Sequence, residues 1–428
     1  MQEYQKRRLA LAQRLSPNSV AIIPAATEVI RNGDAHYRFR QASDFYYLTG
    51  FNEPDALLLI EANGTSYLFN RPSDANAAQW TGARLGQDAA KIQLNMQEAY
   101  SIDTLNERLP DLLANRDAIY YTFGYDAVWD QCILRAYKCT QGKRNIHPPL
   151  AFNDIYAIIS EMRLIKSKAE IACMQKAADL SVAAHLHVLQ QCLNFQYEYQ
   201  LEAEFLYHLQ RNACRDVAYD CIVASGKNAC ILHYTNNNQP LAPNALILID
   251  AGAEYQNYAA DITRTYPING QFSAEQRLIY ELVLHAQRQG MSVVRPDAPW
   301  SKIQEVIVNT LTEGLVDLGI LSGNIAELIE TQAYKQFYMH NSGHWLGLDV
   351  HDCGTYQNKQ QSRRLKPGMV LTVEPGLYFT PSDKLDPRWW NIGVRIEDDL
   401  LVTARGHTCL TAALPVTVQD CMCYTARN

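Results

Sequence analysis

The sequence predicts an α+β protein in which a smaller α/β region, residues 1–165, precedes a larger domain of helices and antiparallel hairpins, residues 166–428. Three observations carry this reading. Short apolar strands alternate with helical spacings up to about residue 140. A turn-rich stretch, HPPLAFND at 147–154, then interrupts the pattern. Beyond Ser167 long helical patterns dominate, and the strand-like runs between them come in pairs around turns.

The first region contains SVAIIPA (19–25) and ALLLIE (56–61), continuous apolar runs of the kind that form buried strands. Asn63-Gly64 is a turn leading into a second strand, SYLFN. Leu105–Leu113 and Ala127–Tyr137 carry apolar residues at helical spacing. A linker or boundary is expected between HPPLAFND and Ser167.

In the second region helices are expected over Lys168–Cys192, Tyr197–Cys214, Ser273–Gln289 and Ser301–Leu318. Ser273 with Gln276, and Ser301 with Gln304, have capping-box spacing. The strand-like runs are ALILIDAG, YAADITRTY, MVLTVEPGLYF and IGVRIEDDLLVT.

Composition narrows the functional classes. Of 428 residues 47% are apolar and 19% charged, which excludes a disordered chain. A net charge of -7 without a basic run argues against nucleic-acid or anionic-membrane partners. The opening MQEYQKRRLALAQRL lacks the apolar stretch of a signal peptide, and no window reaches the roughly 18 apolar residues of a membrane span. Eleven scattered cysteines, the nearest pair being Cys421 and Cys423, read as reduced thiols of a cytoplasmic protein rather than a disulfide framework.

Two aspartates flank a polar turn. With Tyr255 and Gln256 as central turn residues, Asp250 falls directly opposite Asp261, their Cβ atoms about 4.5–5.5 Å apart. Carboxylates so placed repel each other unless a cation or a shared proton lies between them. The bland alternative is a pair of solvated turn-flanking residues. Farther on, MHNSGHWLGLDVHD (339–352) holds His340, His344 and His351, and Gly343 and Gly347 argue against a regular helix there. His233, in CILHY, is a weaker candidate.

Glu374 sits inside an apolar strand pattern and is followed by Pro375-Gly376. Burying it there is costly unless it is paired or bound to metal. In IGVRIEDDL, Arg395 and Glu397 share the face opposite Ile392, Val394 and Ile396, and an exposed ion pair is the bland reading. Four carboxylates and an imidazole, with no cysteine, suit two divalent metal ions: manganese best on hardness, with cobalt or zinc as alternatives.

The order Asp250, Asp261, His344, Glu374, Glu397 resembles the ligand set of the pita-bread metallopeptidases, and most closely that of the aminopeptidase P family. SDFYYLTGFNEPDALLL (43–59) resembles the family's N-terminal domain. EMRLIKSKAEI, CILHYTNN, IDAGAEYQNYAADITRTYPING and KPGMVLTVEPGLY resemble its catalytic domain. The resemblance implies a pita-bread catalytic domain holding two metals, with Asp261 and Glu397 bridging them, Asp250 on one, and His344 and Glu374 on the other. It implies attack by a bridging hydroxide on the carbonyl of the first residue of a peptide with proline second, and Glu374 as proton handler. It casts His233, His340 and His351 as substrate residues, Arg395 as a support for a ligand carboxylate, and Tyr219 and Trp80 as pocket residues whose bland reading is core. Homodimers or homotetramers are also implied.

The filling Asn341-Ser342-Gly343 and the polar stretch 357–364 depart from the common pattern. A prolidase, acting on Xaa-Pro dipeptides, and a non-catalytic pita-bread binding protein are the competing readings. SDFYYLTGFNEP favours the aminopeptidase, and a complete ligand set disfavours the binding protein.

Overall fold

Strands whose residues are apolar on both faces need cover on both sides, and this places SVAIIP and LLLIE at the centre of a sheet. The computed structural model describes residues 2–142 and 144–425. In it the chain divides into two units, Met1–Arg163 and Leu164–Asn428.

The N-terminal unit is built on a six-stranded sheet. Its order is Glu98–Ser101, Ser66–Asn70, Leu57–Glu61, Ser19–Pro24, Ala118–Tyr120, Ala151–Asn153. The two central pairings that involve Leu57–Glu61 are antiparallel and the outer ones parallel. Helices Leu105–Leu113 and Ala127–Thr140 lay Leu105, Leu109, Leu113, Trp129 and Ile133 on the sheet. Within HPPLAFND, read from sequence as connecting material, residues Ala151–Asn153 form the edge strand instead. The buried Arg8 has no carboxylate among its hydrogen-bond partners within the described residues. It donates to the carbonyls of Leu48, Leu94 and Asn95, where two helices end and their dipoles favour a cation.

In the C-terminal unit, helix Lys168–Gln191 opens with a capping box between Ser167 and Glu170, and helix Ala274–Ser292 with the expected one between Ser273 and Gln276. The expected box at Ser301 does not form. Gln304 instead accepts the amide of Ser342 at 2.7 Å, and the Ser301 amide at the helix start donates to Ser362 Oγ at 2.9 Å.

Two long hairpins carry the candidate chemistry, and each is broken in the middle. In the first, Leu246–Asp250 pairs with Thr263–Pro267, and Ala253–Tyr255 with Tyr258–Ala259. The turn is Gln256-Asn257, both at positive φ, not Tyr255-Gln256. A primed turn needs the left-handed region at both central residues, and Asn tolerates it well. Asp250 therefore pairs with Thr263, and the expected direct pairing with Asp261 is corrected to a diagonal one on the same face. At the break, helix Lys168–Gln191 takes over ladder positions. His185 Nε2 bonds the Ala251 carbonyl at 2.9 Å, and Ser181 Oγ accepts the Ala253 amide at 2.8 Å. Gly252 fits because a Cβ there would lie 1.8 Å from the Ala260 carbonyl oxygen.

In the second hairpin Val370–Val373 pairs with Asp398–Val402, and Gly376–Phe379 with Ile392–Arg395. The register is the same on both sides of the break, which sets Glu374 opposite Glu397. The hairpins are joined by side chains. The buried Arg264 guanidinium reaches Asp398 Oδ1 at 2.7 Å and the Glu397 carbonyl at 2.6 Å. Gln287 and Thr411 complete the Asp398 carboxylate.

Arg264→Ala should therefore leave a buried charge unpaired and cost about 3–5 kcal/mol. Chemical denaturation of the two proteins measures this. An unchanged midpoint would show that Asp398 does not depend on Arg264.

Candidate metal centre

The two hairpin breaks open onto one cavity of about 650 Å³. Its lining includes Asp250, Asp261, His344, Glu374, Glu397, Arg395, His233, His340 and His351. Of the residues singled out from sequence, Tyr219 meets two of these carboxylates directly. Trp80 lies on helix Ala75–Thr81 of the N-terminal unit and is 89% exposed, so it is not a core residue.

Strand breaks do the aiming. Asp250 ends its strand, and Asp261, Glu374 and Glu397 all fall in the breaks themselves. The Ser342–Leu346 segment runs beside Val370–Glu374. The Thr372 amide bonds the His344 carbonyl, and the Glu374 amide the Ser342 carbonyl. Gly343 permits this approach, since a Cβ there would lie 2.1 Å from the Thr372 carbonyl oxygen. His344 Nδ1 bonds the Trp345 carbonyl at 3.0 Å as donor, which turns the Nε2 lone pair toward the carboxylates. That Nε2 lies 3.4 Å from Asp261 Oδ2 and 3.6 Å from Glu374 Oε1.

The polar chain on the other side runs from Asp250. Arg395 Nη2 donates to Asp250 Oδ2 at 2.6 Å, Nη1 to Tyr378 Oη at 3.1 Å, and Nε to Thr263 Oγ1 at 3.1 Å. The His340 ring meets Tyr378 Oη through Nε2 at 2.9 Å and the Asn341 carbonyl through Nδ1 at 2.8 Å. The hydrogen-bond directions then make Nδ1 the protonated nitrogen and Nε2 the acceptor. The face of Ile392–Arg395 that read as exposed is buried: Arg395 and Glu397 are both under 5% exposed. Its partner is the first hairpin, through Thr263 and Thr265.

Electrostatics follow from this crowding. Burial raises Glu397 well above the usual carboxylate range, and the charges of Asp261 and Glu374 add to it. Burial also raises Glu374, to about 7. Burial alone would lower His344, but the Asp261 and Glu374 contacts outweigh it and hold its pKa at about 9. His340 is lowered to about 4 by burial and by the Arg395 charge, and stays neutral.

Divalent cations fit this floor. Asp261, His344 and Glu397 each offer a donor atom within 4.8 Å of the others. Glu397 Oε1 is buried without a hydrogen-bond partner among the described residues. Tyr219 Oη lies 2.6 Å from both Asp250 Oδ1 and Asp261 Oδ1, yet it has one proton to give. Further positive charge is required, and the oxygen-rich donor set suits hard or borderline divalent ions.

Sequence reasoning missed three contributors. Tyr378 reads as one more strand aromatic and Thr263 as an ordinary strand residue. Gln304 reads as a capping residue. The neighbouring Pro375-Gly376 break was the one available hint for Tyr378.

The profile of metallopeptidase family M24 matches residues 172–404, and that of the aminopeptidase P N-terminal domain residues 4–120. The Xaa-Pro aminopeptidase of Escherichia coli K12 is 44% identical over 419 residues, which cover 96% of this chain and 95% of that protein. The Haemophilus influenzae Xaa-Pro aminopeptidase is also 44% identical, over 98% and 96%. Proline aminopeptidase P II from Yersinia pestis superposes with a TM-score of 0.97 at 44% identity, covering 100% of this chain and 99% of that one. An Escherichia coli aminopeptidase P variant in complex with substrate gives 0.96 at 41%, over 99% and 98%. The chain belongs to metallopeptidase family M24, in its aminopeptidase P branch with the pita-bread fold.

Proposed function

We infer that Asp250, Asp261, His344, Glu374 and Glu397 hold two divalent metal ions, and that Tyr219 and Arg395 orient their carboxylates. The chain is an Xaa-Pro aminopeptidase: it hydrolyses the bond between the N-terminal residue and a following proline. The observation that carries the metal assignment is the cluster of Asp261, His344 and Glu397 donor atoms in a cavity also lined by Asp250 and Glu374, with one glutamate oxygen that has no partner among the described residues. Manganese is the ion favoured by donor hardness, with cobalt and zinc as alternatives; a zinc-substituted Escherichia coli aminopeptidase P with product superposes at a TM-score of 0.96.

Metal ions bound there would supply a nucleophilic water at neutral pH and a Lewis acid for the scissile carbonyl. The residues do the rest. Glu374 accepts a proton from water and returns it to the proline nitrogen as the C–N bond breaks. That nitrogen is a tertiary amide without N–H, so recognition of proline falls to ring shape and carbonyl contacts. His340, kept neutral and fixed by Tyr378, is a wall for that ring. His233 and His351 line the same cavity and are the proposed donors to the oxygen that gains charge. The T-shaped packing of the His351 ring on His344, centroids 4.4 Å apart, sets its place.

A homodimer or homotetramer is the proposed assembly, on the family resemblance, and light scattering would test it. The ten described cysteines are free thiols, which supports a cytoplasmic setting; the Cys423 side chain lies outside the described residues.

With manganese added, Gly-Pro-Ala should be cleaved to glycine and Pro-Ala faster than Gly-Pro is cleaved. Hydrolysis of the dipeptide alone would assign the chain to prolidase chemistry.

Asp261→Ala should lose bound metal and activity together, as read by elemental analysis and turnover. Tyr219→Phe should weaken metal binding about 10–100-fold. Full metal content in both variants would overturn the ligand assignment.

Metal binding should strengthen with pH. Free of metal, His344 keeps its proton up to about 9 and Glu374 up to about 7, and both must release it to bind. The apparent Kd should therefore fall between pH 6 and 9 with measurable proton release by calorimetry. A Kd independent of pH would contradict this site.

A further inference from the structure

The loop that brings His233 to the cavity has an unusual anchor. His233 is exposed, and its neighbour Leu232 also lines the cavity. The anchor is Glu198, the first residue of helix Glu198–Arg211, whose accessibility is 0%. A carboxylate so buried requires donors on both oxygens. All of them come from the stretch that brackets His233. Glu198 Oε1 accepts the Ser225 amide at 2.8 Å and Asn228 Nδ2 at 2.9 Å. Glu198 Oε2 accepts Tyr234 Oη at 2.8 Å and the Gln239 amide at 2.9 Å. One side chain thus fixes the loop at two points before His233 and two after it. The helix N-terminus favours its charge.

We propose that Glu198 is a positioning residue for Xaa-Pro hydrolysis, acting through His233, a role that rests on the peptidase reading above. The geometry makes a specific demand for carboxylate. Glutamine has the same shape but one acceptor oxygen. Asn228 can flip its amide and Tyr234 can rotate its hydroxyl, so each can accept from an NH2 group. The backbone amides of Ser225 and Gln239 cannot. Either orientation of a glutamine therefore sets its NH2 against a backbone N–H, at one end of the loop or the other, and His233 shifts. Displacement of a positioned group by about 1 Å can cost about 100-fold in rate.

The test is a double-mutant cycle with manganese-loaded protein and Gly-Pro-Ala. Wild-type turnover tests the peptidase reading by itself. The ratios among variants test the proposal. Glu198→Gln should retain its metal content and lower kcat about 10- to 100-fold with a smaller change in KM. In a His233→Ala background the same substitution should cost less than about threefold further, since the two act as one unit. Tyr234→Phe removes a single anchor without adding a donor, so it should give a smaller loss that also disappears in the His233→Ala background. This second cycle decides the matter if Glu198→Gln does not fold. Wild-type-like turnover of Glu198→Gln overturns the proposal. So do losses that multiply independently with His233→Ala in either cycle, because a merely structural anchor would add to the histidine's effect.

Discussion

Four carboxylates share the floor of one cavity, and their mutual repulsion is the constraint to which the surrounding structure answers. Like charges at this spacing, out of water, oppose the folded arrangement unless positive charge is supplied. Arg395 supplies some of it to Asp250, and His344 some to Asp261. Glu397 makes no ion pair among the described residues: one oxygen accepts Thr263 Oγ1 and the other has no hydrogen-bond partner among them. The protein has built a site that divalent cations complete, and the raised proton affinities of Glu374 and Glu397 express the same deficit.

Holding that arrangement is the task of the two broken hairpins. A continuous strand would send neighbouring side chains to alternate faces at fixed spacing. Interrupting the ladder frees Asp261, Glu374 and Glu397 to turn toward one point while the strands on either side stay in register. The broken ladder positions are not left empty. His185 and Ser181 fill them in the first hairpin, and Arg264 ties the second hairpin to the first. Rigidity at the centre thus comes from groups that never face the cavity.

Much of this was legible in the chain. Asp250 and Asp261 stood out because acids bordering apolar strands around a turn are expensive, and Glu374 because it interrupts VLTVEPGLYF. Same-face placement of the two aspartates survived a wrong choice of turn: the true turn, Gln256-Asn257, shifts the pairing partner by two residues and so preserves the face. By contrast Tyr219 and Tyr378, as isolated aromatics, gave no signal that separates core from site. The Ser301 cap misled because local spacing does not say what a side chain will meet.

The sequence by itself determined the α+β class and the long helices and hairpins, because periodicity is a local property, and its resemblance to a known family singled out the five candidate metal ligands. Only the tertiary structure decided that the Arg395–Glu397 face is buried, that Tyr219 bridges two aspartates and that Glu198 holds the His233 loop. Those contacts join residues tens to more than a hundred positions apart. Nothing in the neighbouring sequence encodes which distant group will arrive, since that depends on how whole hairpins and helices pack.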